Sequence, residues 1–108
     1  MQILKGNVLK SNTIGILAAN TNSYIVIYDD NPFYIEDSYI ISPKECDLPE
    51  VVDKFINPEM KMVRDSEKRY DYLIIYTNLD ENDQNFKSAY EKLSKYSYPC
   101  REILMTCK

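Results

Sequence analysis

Hydrophobic positions along this chain fall in short runs whose spacing changes several times. Alternation in NTIGILAAN (Asn12–Asn20) and in SYIVIYD (Ser23–Asp29) predicts two strands, joined by a polar turn at Asn20–Asn22. A third strand is expected in FYIEDSYIIS (Phe33–Ser42), where Phe33, Ile35, Tyr39 and Ile41 share a face interrupted only by Asp37. Between the second and third runs lies DDNP (Asp29–Pro32). Asp and Asn bond their own backbone in turns and Pro holds its φ, so this cluster predicts a hairpin with Asp29 and Asp30 in its turn.

The spacing then switches to that of a helix. In CDLPEVVDKFINP, Leu48, Val51, Val52, Phe55 and Ile56 recur at i, i+3, i+4, i+7 and i+8. Asp47 is a good N-cap with Glu50 three residues on, and Pro49 is tolerated in the first turn because its missing N–H would lack a helical partner. Pro58 is expected to end the helix after Asn57. Residues 59–78 predict a strand, a polar turn around Asp65–Lys68 and a longer strand. A second helix is expected over Asp80–Ser97, with Phe86, Ala89, Tyr90 and Leu93 on one face and an acidic start that complements the helix dipole. Arg101–Cys107 reads as a closing strand that completes a β-α-β unit. The expected fold is therefore α+β: one domain over residues 1–108, a mixed sheet opening with an antiparallel meander, and two helices packed on it.

Composition narrows the class. A chain of 108 residues suits one modest core, and its 44% hydrophobic and 28% charged content is that of an ordinary globular domain. No apolar run approaches the roughly 20 residues of a membrane span, and the first residues lack the order of a secretory signal, so a cytoplasmic location is expected. Cys46, Cys100 and Cys107 are an odd set without CxxC spacing, and there is no histidine, which argues against disulfides and zinc.

The charge is unevenly spread. Residues 1–28 carry two lysines and no acid, whereas residues 29–60 carry nine acids against Lys44 and Lys54. A segment of this sign repels phosphate backbones and favours a basic protein partner or a divalent cation; a solvated acidic face is the plainest meaning.

Several chemistries are excluded. With only Gly6 and Gly15, neither GxGxxG nor a P-loop can be written, and without histidine the commonest general base is missing. Asp80, Asn82 and Glu91 fall at the first, third and twelfth positions of a calcium loop, but Asn85 stands where its sharp turn needs glycine. A helix cap explains these residues better. Cys100 has no evident base and is expected to be structural. One enzymatic route stays open. If the strands ending at VIYDD and IYTN are parallel neighbours, Asp29, Asp30, Asp80 and Asp83 would meet and could hold Mg²⁺ for phosphoryl chemistry or nucleotide binding.

Ten tyrosines are the other unusual feature. Tyr24 and Tyr28 are expected on one strand face, and Tyr70, Tyr72 and Tyr76 on another. No RNP pattern or basic stripe accompanies them, but tyrosine is enriched at interface hot spots. The expected function is thus non-enzymatic, with no cofactor, metal or catalytic residue. It is binding to a basic protein partner, and where that partner handles nucleic acid the chain is expected to inhibit it by competition. The expected contact residues are Tyr24, Tyr28, Asp29, Asp30, Tyr34, Glu36, Asp37, Glu45, Glu50 and Asp53. In size and charge alone the chain resembles small acidic inhibitors encoded by phages and mobile elements, anti-CRISPR proteins among them. A homo-oligomer built on the same tyrosines is a further expectation.

Overall fold

The computed structural model describes residues 2–6, 8–57, 69–95 and 100–108. Its strands are β1 (Gln2–Lys5), β2 (Tyr24–Tyr28), β3 (Ser38–Ile41), β4 (Tyr70–Thr77) and β5 (Cys100–Cys107). They lie in the order β1-β5-β4-β2-β3, and every neighbouring pair is parallel. This overturns the antiparallel meander. The fold is α/β, with one all-parallel sheet covered on both faces.

The correction begins at Asn12–Asn20, which is helical and not a strand: α1 spans Val8–Asn20. Ile14, Leu17 and Ala18 sit at i, i+3 and i+4 and pack on the sheet together with Ile25, Ile27, Ile74, Tyr76 and Leu104. A window this short fits either period, and a parallel β1-to-β2 crossover usually takes the helical one. The second correction is at Asp29–Asp37. The local turn chemistry is present, since the Asp29 carboxylate accepts the Asn31 N–H at 3.1 Å. The chain does not fold back there as a hairpin. It runs across the α1 face, seating Phe33 edge-on to Tyr76 (4.7 Å, 89°) and Ile35 beside it, and then enters β3 parallel to β2. The loop takes the place of a crossover helix. β1 had no counterpart in the expected elements.

The opposite face carries the remaining helices. α2 (Leu48–Val51) starts as expected, with the Asp47 carboxylate accepting the Glu50 N–H at 2.9 Å. It continues as a π-helical turn over Val52–Ile56, closed by the Asn57 N–H donating to the Val52 carbonyl. α3 spans Gln84–Lys95 and buries Phe86, Ala89 and Leu93. These helices cover Val26, Tyr28, Leu73, Ile75 and Met105. The strand expected near residue 60, the turn at Asp65–Lys68 and Pro58 lie outside the described residues.

The connection after β2 leads outward to β3, while that after β4 leads the other way to β5. The carboxyl ends of β2 and β4 therefore flank a topological switch point, the usual place for a ligand crevice in an open α/β sheet.

Candidate functional site

Two regions gather the residues singled out above. The first is the switch point. β2 and β4 are indeed parallel neighbours, in register from Tyr24↔Leu73 to Tyr28↔Thr77, so the strand-end aspartates emerge on one edge. The side chains of Asp29, Asp80 and Asp83 are already engaged. Asp29 is buried, and its second oxygen accepts from Asn78 Nδ2 at 2.6 Å. Asp80 accepts the Asn82 N–H and Asp83 the Asn85 N–H, each at 2.8 Å, the latter at the threshold of α3. These are turn and cap bonds, as the failed calcium-loop pattern suggested. Among the described residues, no three acidic or thiol side chains gather closely enough to hold a metal ion.

Tyr28 lies beneath this edge. Its hydroxyl donates to the Cys46 carbonyl at 2.9 Å. Burial pushes its pKa up to about 12, helped by the nearby Cys46 thiol and by Asp47, Asp30 and Asp83. Burial likewise raises the Cys46 and Cys100 thiols, so neither is a ready nucleophile at neutral pH.

The second region is the β3 edge and the loop that feeds it. Among the described residues β3 pairs only with β2, and it presents Tyr39 (43% exposed) and Ile40 (46%). Tyr34, in the loop, is 81% exposed. Asp30, Glu36 and Asp37 are exposed on the same connection, and none is in an ion pair among the described residues. Asp37 has a positive φ of 60°, a left-handed conformation that Asp tolerates better than most residues.

The ten expected contact residues therefore divide. Tyr24 and Tyr28 are buried on the helix-covered face, Tyr24 against Tyr39 and Tyr70 at 5.6 and 5.8 Å, and Asp29 is buried beside Asn78. All three side chains are thus largely withdrawn from solvent. Glu50 and Asp53 lie on the α2 segment and pair with Lys54 (3.5 Å) and Lys92 (2.7 Å). Asp30, Tyr34, Glu36, Asp37 and Glu45 are exposed, and the first four of these belong to one connection. Nor do the β4 tyrosines share a face: Tyr72 and Tyr76 pack on the α1 side, Tyr70 on the other. Sequence reasoning missed Tyr39 and Ile40, because a run buried in one face of an inner strand reads the same as an edge strand.

Comparison with protein-family models, curated proteins and solved structures finds no match for this chain. Fold and surface chemistry alone carry the functional reading.

Proposed function

We propose that the protein is a non-enzymatic binding module that docks its β3 edge against a basic surface of a protein partner. The observation that supports this is the segregation on β3 and the connection that feeds it of exposed aromatic and aliphatic side chains (Tyr34, Tyr39, Ile40) with carboxylates that make no ion pair among the described residues (Asp30, Glu36, Asp37). Apolar anchors supply contact energy and a rim of one charge supplies steering. An edge strand also offers backbone groups for strand addition. Where the basic surface is one that holds nucleic acid, occupation by this module inhibits by competition.

The test is affinity capture from a native lysate with the wild type and with a Tyr34→Ala/Ile40→Lys variant, each at low and high salt. A protein retained by the wild type, weakened by salt and lost from the variant is expected. Equal retention by both chains would sink the reading.

The β2 and β4 ends do meet, which supports a second reading, a Mg²⁺-dependent phosphoryl or nucleotide site on Asp29, Asp30, Asp80 and Asp83; against it, no three of these carboxylates gather closely enough to hold a metal ion. It predicts saturable Mg²⁺ binding, detected by tyrosine fluorescence or amide shifts and abolished by Asp30→Asn. An unresponsive wild type removes it.

A further inference from the structure

At the opposite, amino-terminal edge of the sheet a cavity of about 450 Å³ opens between the end of α1, the start of β2 and the turn before β3. Thr21, Asn22, Ser23, Glu36, Asp37 and Tyr70 are among its lining residues. We propose that this cavity is a binding site for the cationic head of an arginine or lysine side chain carried by the protein partner. The proposal rests on the docking reading above and names the group that the acidic rim receives.

The lining is an array of acceptors. Glu36 and Asp37 contribute two exposed carboxylates. The Thr21 hydroxyl donates its proton to the Leu17 carbonyl at 2.5 Å, so in its 2.7 Å contact with Ser23 it accepts. Both hydroxyls thus have their protons spoken for and keep lone pairs to offer. The cavity also faces the carboxyl end of α1, a helix of 13 residues with no basic residue in its last turn. Its caps are neutral: Thr21, and Asn20, whose Nδ2 donates to the Ile16 carbonyl at 2.8 Å. Within the last turn the negative end of the helix dipole thus meets only these two neutral donors and no basic residue. A cation seated here meets helix end, carboxylates and hydroxyl lone pairs together. An anion is repelled by all three.

The wall is held in place before any ligand arrives. The Asn22 N–H donates to the Asp71 carboxylate at 2.8 Å, and the Asp71 N–H returns a bond to the Asn22 carbonyl at 2.8 Å. Preorganisation of this kind lowers the ordering cost of binding. A shallower groove of about 340 Å³, sharing Ala18 and Glu36 with the cavity, runs on past Gly15 and Tyr34. Its small helix residues leave room for the aliphatic stem and for the neighbouring residue of the incoming segment.

The experiment titrates N-acetyl-arginine methylamide into ¹⁵N-labelled wild type and into Glu36→Gln/Asp37→Asn, with the citrulline analogue as the uncharged control. Asn keeps the left-handed backbone at position 37 accessible, so the variant removes charge without backbone strain. Saturable shifts at the amides of Thr21, Asn22, Ser23 and Asp37 are expected, with affinity at least about tenfold weaker in the variant, which loses two carboxylates where one charge-assisted contact is already worth that much. Equal affinity for citrulline, equal affinity of the variant, or shifts centred elsewhere would overturn the proposal. If the arginine probe fails while salt-sensitive capture through Tyr34 and Ile40 persists, the cavity is refuted and the docking reading stands. If the probe binds and capture fails, the docking reading falls alone.

Discussion

At the residue scale, Thr106 does what no periodicity could indicate. The β4–β5 pairing runs to Ile75↔Met105, while β5 continues beside β1 to Cys107. Past Met105 the Thr106 hydroxyl stands in for the ladder, accepting the Thr77 N–H at 2.8 Å and donating to the Thr77 carbonyl at 2.9 Å, all buried. Thr106→Val keeps the shape and strands both groups, so a loss of roughly 2 kcal/mol or more in urea unfolding is expected; a change near zero would show that Thr77 finds other partners. Tyr28 gives a pH signature. Its folded pKa, about 12, lies above the ordinary value near 10 of the unfolded chain. The folded state therefore holds the proton more tightly, and this contribution to stability is complete below about pH 10 and is lost as pH rises towards 12. The difference in unfolding free energy between wild type and Tyr28→Phe should shrink across that window. A constant difference would contradict the assigned environment.

At the element scale, the α2 segment shows how far a helical stripe can be trusted. Leu48, Val51, Val52 and Ile56 are buried as their spacing requires, but Phe55 is exposed. The π-helical turn over Val52–Ile56 uses i→i+5 bonding, which shifts the phase of the stripe and swings Phe55 off the core face. Ile56→Ala should cost about 2–5 kcal/mol and Phe55→Ala less than about 1 kcal/mol, read from denaturant midpoints. Comparable losses would place Phe55 in the core. The Asp47 cap was legible because capping is local, needing only Asp47 and the Glu50 N–H. α1 was not, because Asn12–Asn20 alternates well enough for a strand and only the crossover geometry decides.

At the scale of the whole molecule, the sheet's direction follows from its two covered faces. All five residues of YIVIY in β2 are buried, as are Leu73 to Thr77 in β4. Such unbroken apolar runs are the mark of parallel strands covered on both faces, and they were present in the sequence. Reading them as half-buried alternation led to the meander. Central strands with both faces covered open last. Amide exchange should be slowest in β2 and β4 and faster in the edge strands β1 and β3; a fast-exchanging β4 would contradict the strand order. The acidic bias of the middle segment acquires a shape at this scale too. Glu50 and Asp53 pair with Lys54 and Lys92, Asp29 is buried, Asp47 caps α2, and Asp30, Glu36 and Asp37 are exposed on the connection into β3. No helix among the described residues is long and apolar enough to cross a membrane.

The candidate site was legible in the same uneven way. By itself the sequence determined what depends on neighbours in the chain: the Asp47 cap, the α3 face of Phe86, Ala89 and Leu93, the turn bond of Asp29, and the exclusion of glycine-rich phosphate loops. Only the tertiary structure decided which strands are neighbours and in what direction, and hence that Tyr24, Tyr28 and Asp29 are covered while Tyr34, Glu36, Asp37, Tyr39 and Ile40 are exposed. The reason is physical. Caps and turns are satisfied within a few residues, whereas the exposure of a strand residue is set by what packs on each face, and those elements come from distant parts of the chain.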